Sequence, residues 1–280
     1  MHPAGAGYET DLYTAGSSDL RIARYLEDRF FKITDNEGAK SLAFIERGQW
    51  NSMKANVRTG WTRFVLSLLQ RTPDEMRAIF DVVSKYTESK RSTFQGHYES
   101  IRASAAWPTF EEYWADQLSE ITARIWIQAT QRNIDSRKLG QYINNLHWRV
   151  IEIHGSFTFM TCDRPIIMTN GLDRPDGHLA LPIGPRKLFV AGNNPQVVQS
   201  LVGSDSDNLA KFVNDRIVRQ ARRFCIATDN THLRFFTKRF GEKLPSSPLD
   251  DLFLTEEGIS MLMRQFEAAL DIQPSATPKK

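Results

Sequence analysis

The hydrophobic period of this chain changes once, and that change limits the fold more than any other feature. Up to about residue 145 apolar side chains recur every three or four residues, the spacing of a helix face; from Arg149 they alternate, the spacing of a strand. The switch falls in the stretch WRVIEIHGSFTFMTCDRP, from Trp148 to Pro165, where two β-rich runs meet at Gly155-Ser156 and the second ends in an Asp-Arg-Pro corner. This spacing predicts a β-hairpin of residues 149–154 with 157–162, placing Glu152, His154, Asp163 and Arg164 close together. Helices first and strands after predict an α+β fold, with a helical N-terminal half packed on a small, mainly antiparallel sheet and further helices.

Helices are expected at 17–31, 37–47, 50–69, 73–90, from Thr109 through Gln128, and at 135–145. The third carries a stripe of Trp50, Met53, Val57, Trp61, Phe64 and Leu68, and Thr72-Pro73-Asp74-Glu75 is a start signal for the fourth. Residues 91–108 are poorly patterned and read as loop or broken helix. Thr109 and Glu112 stand three apart, as a capping box requires, and open a long helix. Beyond the hairpin, strands are expected at 166–168, 178–181, 187–191, 224–228 and 233–236. An amphipathic helix is expected at 205–222 with Leu209, Phe212, Val213, Ile217 and Val218 on one face, and a last helix at 255–270. No Gly/Ser/Pro-rich linker separates the parts, so residues 1–280 read as one domain, with a helical part at 17–145 and a mixed part at 147–270.

With 41% hydrophobic and 25% charged residues, a chain of 280 residues can bury a real core, and disorder is confined to the ends. A net charge of +3 and a pI near 8.8 permit a nucleic acid partner without arguing for one. No run reaches the roughly 18 apolar residues of a membrane helix, and the N-terminus lacks the basic and apolar regions of a signal peptide. The expectation is a cytoplasmic protein without a membrane partner. Cys162 and Cys225 are then two buried thiols, with a bridge between them the lesser alternative.

Glycine-rich phosphate loops, dinucleotide fingerprints, His-Glu-x-x-His and Cys-x-x-Cys pairs are all missing from the sequence, and the six histidines are scattered. No cofactor, metal or partner is named by any motif. The best polar candidate is the Asp163 corner. Pro165 has no N–H and holds Arg164 extended, so the strand must leave its ladder there. Asp163 can then accept turn N–H groups, or project into a pocket as base or metal ligand. Glu152 and His154 share one strand face by period two, which makes them either an acid/base pair beside Asp163 or a solvated outer face. Arg216, Arg219, Arg222 and Arg223 line one side of a helix as a solvated face or an anion contact. Arg58 is a candidate bidentate partner for a carboxylate. The candidate set is Asp163, Glu152 and His154 for catalysis, with Arg164, Arg58 and Arg219 for binding.

The succession GYETDLYT, the helix containing Ala55 and Phe64, FTFMTCDRPI, LPIGPRKLFV and ARRFCIATD resembles the bacterial family catalogued as domain of unknown function 4238. In that family a strand ending in Thr-x-Asp-x-Pro precedes a Pro-Leu-Ser-Pro-like segment. These stand here as Thr161-Cys162-Asp163-Arg164-Pro165 and Pro182-Ile183-Gly184-Pro185. Members usually begin with a His-Tyr-Val-Pro-Gln-Phe-type segment, whereas this chain starts Met1-His2-Pro3. The resemblance implies no reaction; it places Asp163 and its neighbours first. Three readings stay open: a metal- or acid/base-dependent hydrolase of nuclease type, a non-catalytic binding or regulatory module, and a component of a defence or toxin system.

Overall fold

The computed structural model describes residues 26–169, 172 and 174–242. In chain order the elements are α1 (Lys32–Glu46), α2 (Ala55–Gln70), α3 (Pro73–Ser89), α4 (Arg91–Ile101), α5 (Phe110–Ile134), α6 (Arg137–Asn145), β1 (His147–Glu152), β2 (Thr161–Cys162), β3 (Ile167–Thr169), β4 (His178–Gly184), β5 (Lys187–Gly192), α7 (Pro195–Val202), α8 (Ser206–Gln220), β6 (Cys225–Ile226) and α9 (Leu233–Arg239). The protein is α+β, as the change of period predicts. Of the helix expected at 17–31 only the end is described, where Glu27–Phe31 forms a π-helical turn. The helix expected at 255–270 lies outside the described residues. No described helix is long and apolar enough to cross a membrane.

The chain divides into two compact units. Among the described residues the first takes 31–72, 134–169, 172 and 174–242, and the second takes 26–30 and 73–133.

In the first unit four strands pair antiparallel in the order β1-β5-β4-β3, and β2 pairs with β6 in a separate two-stranded ladder. Two residues, Pro185 and Arg186, join β4 to β5. Central strand β5 is buried on both faces, which is why its sequence reads as a continuous apolar run. Leu188 and Val190 join a core with Val213 and Ile217 of α8. Phe189, pointing the other way, meets Trp61 of α2 and Trp148 of β1 edge to face, at 5.2 and 5.3 Å between centroids. Helices therefore cover both faces of this sheet. The helix expected at 37–47 starts earlier, at Lys32, and ends at Glu46; Gly48 follows the C-cap Arg47, and its φ of 71° suits a glycine after a helix C-terminus. Gly38 lies against Phe64, so that α1 and α2 approach closely.

In the second unit the capping box forms as predicted. Thr109 N donates to Glu112 Oε2 at 2.7 Å, and Glu112 N donates to Thr109 Oγ1 at 3.3 Å. Trp126 is buried and donates to Met76 O at 3.2 Å, tying α5 to α3. Tyr98, Phe110 and Trp114 form an aromatic cluster between α4 and α5. The poorly patterned stretch is thus helical to Ile101, because these aromatics give it an apolar side that charge and glycine obscure in the sequence.

Three expectations are corrected. The hairpin of 149–154 with 157–162 does not form: β1 pairs with β5, and β2 with β6. The strand expected at 224–228 shrinks to Cys225–Ile226, outside the central sheet. The strand expected at 233–236 is helix α9, whose apolar Phe235 and Phe236 turn to the core.

Candidate functional site

The corner at Asp163 is built by α8. After β1 the chain does not fold back on itself, because polar side chains of α8 take up its main-chain groups. Ser206 Oγ accepts from His154 N, Asp207 Oδ1 accepts from Phe157 N, and both distances are 3.3 Å. A Cβ at 155 would stand 2.0 Å from Asp207 Oδ1, so a larger residue there would have to displace the carboxylate that holds Phe157 N. Asn214 then clamps the next stretch. Its Oδ1 accepts from Met160 N and its Nδ2 donates to Thr158 O, each at 2.8 Å. A buried amide thus replaces the strand partner that a hairpin would have supplied.

The chain next enters the β2–β6 ladder. Asp163 N donates to Phe224 O at 3.4 Å, and there the backbone ladder stops. The Asp163 side chain carries it on: Oδ1 accepts from Phe224 N at 3.5 Å and Arg222 N at 3.1 Å, and Oδ2 from Arg222 N at 3.3 Å. Pro165 turns the strand away, and Arg164 O accepts from Gln220 Nε2 and, at 3.1 Å, from the Cys162 thiol. Gln220 Nε2 also reaches Ile166 O at 3.2 Å. The last turn of α8 and the residues after it therefore hold Thr161-Cys162-Asp163-Arg164-Pro165 along its length.

Glu152 and His154 lie elsewhere. Glu152 is exposed at the end of β1 opposite Lys187, whose ammonium donates to Glu46 O at 2.9 Å. His154 is exposed two residues further on, as period two predicts. Among the described residues no hydrogen bond or ion pair joins Asp163, Glu152 and His154, and no group of three or more His, Cys, Asp or Glu could hold a metal ion.

Arg58 meets carbonyls rather than the carboxylate expected for it. Its guanidinium donates to Asn144 O at 2.9 and 2.7 Å and to Leu146 O at 3.2 Å, and lies 3.6 Å from the centroid of the Trp148 ring. The end of α6 presents unpaired carbonyls at the negative end of its dipole, which a cation satisfies as a C-terminal cap. Desolvation by burial lowers the Arg58 pKa. Arg219 is engaged by Asp215 at 2.8 Å and by Glu242, and Asp215 also takes Arg239. The Asp215 hydrogen bond leads the effects that raise the Arg219 pKa. Arg216 lies against Phe212, 5.4 Å from its ring centroid.

Sequence reasoning missed Asn214, Gln220 and Asp207, the side chains that hold the corner. Asn214 carried a readable signal, a polar residue among Val213, Ile217 and Val218 on an otherwise apolar helix face.

Two helical layers over an antiparallel sheet, with a carboxylate that extends a short side ladder, define an α+β protein with a structured Thr-x-Asp-x-Pro corner. The chain belongs to the family described as "Protein of unknown function (DUF4238)", which matches residues 1–231. No curated protein and no solved structure matches it.

Proposed function

We propose that this protein is a non-catalytic binding or regulatory module in which the Asp163 corner is a structural clasp. The observation that carries this reading is the Asp163 carboxylate, both of whose oxygens accept main-chain N–H groups that follow α8. A general base or metal ligand needs a lone pair aimed at a reactant, and these are aimed at Arg222 and Phe224. The binding face is the outer side of α8 and its neighbours. There Phe212 is 45% exposed beside Arg216, while Lys211 lies over Phe157, itself stacked on His232. Cations interleaved with aromatic rings suit an acidic partner, nucleic acid included.

The test is a thermal-shift screen of the protein, Asp163→Ala and Asp163→Asn against divalent metals, nucleotides and short RNA and DNA. Loss of the carboxylate costs about 2 kcal/mol, since two N–H groups lose a charged acceptor. Asp163→Ala should therefore melt lower, and any polyanion stabilisation should persist in both variants. Metal-dependent cleavage of nucleic acid that disappears in Asp163→Asn at unchanged Tm would refute the reading and favour a hydrolase.

A further inference from the structure

We propose that Cys162 and Cys225 are a redox modification site, closing into a reversible intramolecular disulfide when the protein meets a hydroperoxide. This goes beyond the reading of Asp163 as a clasp and does not depend on it. The argument begins with register. Cys162 and Cys225 are directly opposed in the antiparallel β2–β6 pair. The neighbouring pair, Asp163 opposite Phe224, carries the ladder bond from Asp163 N to Phe224 O. Hydrogen-bonded and non-hydrogen-bonded pairs alternate along such a ladder, so the two cysteines occupy a non-hydrogen-bonded position. There opposed Cα atoms approach to about 4.5 Å with side chains on one face, within the roughly 4.4–6.8 Å that a disulfide spans. No backbone movement is needed to bring the sulfurs together.

The environment divides the roles. Both cysteines are free thiols; Cys162 is buried and Cys225 half-buried. Burial, followed by a hydrogen bond with the Cys225 side chain, raises the Cys162 thiol above the usual thiol range. Its S–H donates to Arg164 O, and Arg164 N donates to its sulfur at 3.3 Å. Cys225 is the more exposed of the two, a half-buried side chain at the edge of the core. Its thiolate attacks the peroxide, breaking the O–O bond and releasing hydroxide, and becomes a sulfenic acid. Cys162 then attacks Cys225 Sγ; the S–O bond breaks, and the departing hydroxide takes the Cys162 proton as water. Overall two thiols give up two electrons and two protons to one hydroperoxide, which leaves as two waters when the oxidant is hydrogen peroxide.

The experiment treats the whole protein with hydrogen peroxide, blocks remaining thiols with a maleimide under denaturing conditions, and maps peptides by mass spectrometry. The expected result is loss of both alkylatable thiols, an intact mass lower by two hydrogens, and a peptide joining Cys162 to Cys225 that a dithiol separates. Cys225→Ser should leave Cys162 reduced at the peroxide dose that closes the native pair, while Cys162→Ser should trap a dimedone-reactive sulfenic acid on Cys225. Wild-type protein needs no variant to fold, so its own outcome decides. Two intact thiols after peroxide, over-oxidation of Cys225 without a cross-link, or cross-links only between chains would each overturn the proposal. So would oxidation of Cys162 at an undiminished rate in Cys225→Ser.

Discussion

Replacing Asn214 by aspartate tests whether a single amide holds the 158–160 segment on α8. Asn214 is 3% exposed, with Oδ1 accepting from Met160 N and Nδ2 donating to Thr158 O. Aspartate keeps size, shape and the first bond but turns the second atom into an acceptor facing a carbonyl. A donor is regained only by protonation. Keeping that carboxyl protonated at pH 7, against an unfolded value near 3.9, costs about 4 kcal/mol, which caps the penalty. A lost bond to a buried carbonyl alone costs roughly 1–3 kcal/mol, so about 3 kcal/mol is expected at pH 7. The sign with pH follows from a carboxyl whose folded-state pKa is raised. The penalty is absent below the unfolded value, grows at about 1.4 kcal/mol per pH unit above it, and levels off past the folded value. Urea unfolding of wild type and Asn214→Asp at pH 4.5 and 7 measures the difference directly. A variant within about 0.5 kcal/mol of wild type at pH 7, or a penalty that does not shrink on acidification, would refute the clamp.

Other residues give further tests. Arg58→Lys keeps the charge but loses the forked donation to Asn144 O and the stack on Trp148, and should cost about 2 kcal/mol in urea unfolding, with Arg58→Met costing no less. Gly38→Ala gains about 1 kcal/mol of helix propensity but sets a Cβ 2.5 Å from Phe64 Cγ, at the fixed end of that side chain; a lower Tm is expected. Hydrogen bonds from Thr109, backbone first, lower the Glu112 pKa, so its support for the start of α5 is present above the usual glutamate value and fades as pH falls through the lowered one. Amide exchange at the first turn of α5, compared between pH 6 and pH 3 after correction for intrinsic rates, should show protection lost in acid, and Glu112→Gln should lose the pH dependence.

Legibility in the sequence followed the range of the interactions. Local signals held: the Thr109–Glu112 box, the helix start at Pro73 and the β4 and β5 strands stand where pattern places them. Burial on α2 follows Trp61, Thr62, Val65, Leu66 and Leu69, so the stripe through Val57, Phe64 and Leu68 was read slightly around the helix. Pairing was not legible. Gly155-Ser156 resembles a hairpin turn, yet the decisive contacts come from Ser206, Asp207 and Asn214, some fifty residues on. Asp163 was legible as a corner residue because Pro165 follows it, but its acceptors' partners, Arg222 N and Phe224 N, belong to a distant segment. Arg58 was misread because helix-end carbonyls leave no mark in composition.

The contact of Phe189 with Trp61 also sets a timetable for synthesis. Trp61 leaves the ribosome with α1 and α2, and the strand that covers it follows about 130 residues later, a wait of roughly 6–26 s at typical elongation rates. Throughout that interval the apolar side of α2 has no sheet to meet, while α3, α4 and α5 emerge and can pack among themselves. A nascent chain halted before Phe189 should be held by chaperones that bind exposed aromatic surface, and one halted past α8 should be released.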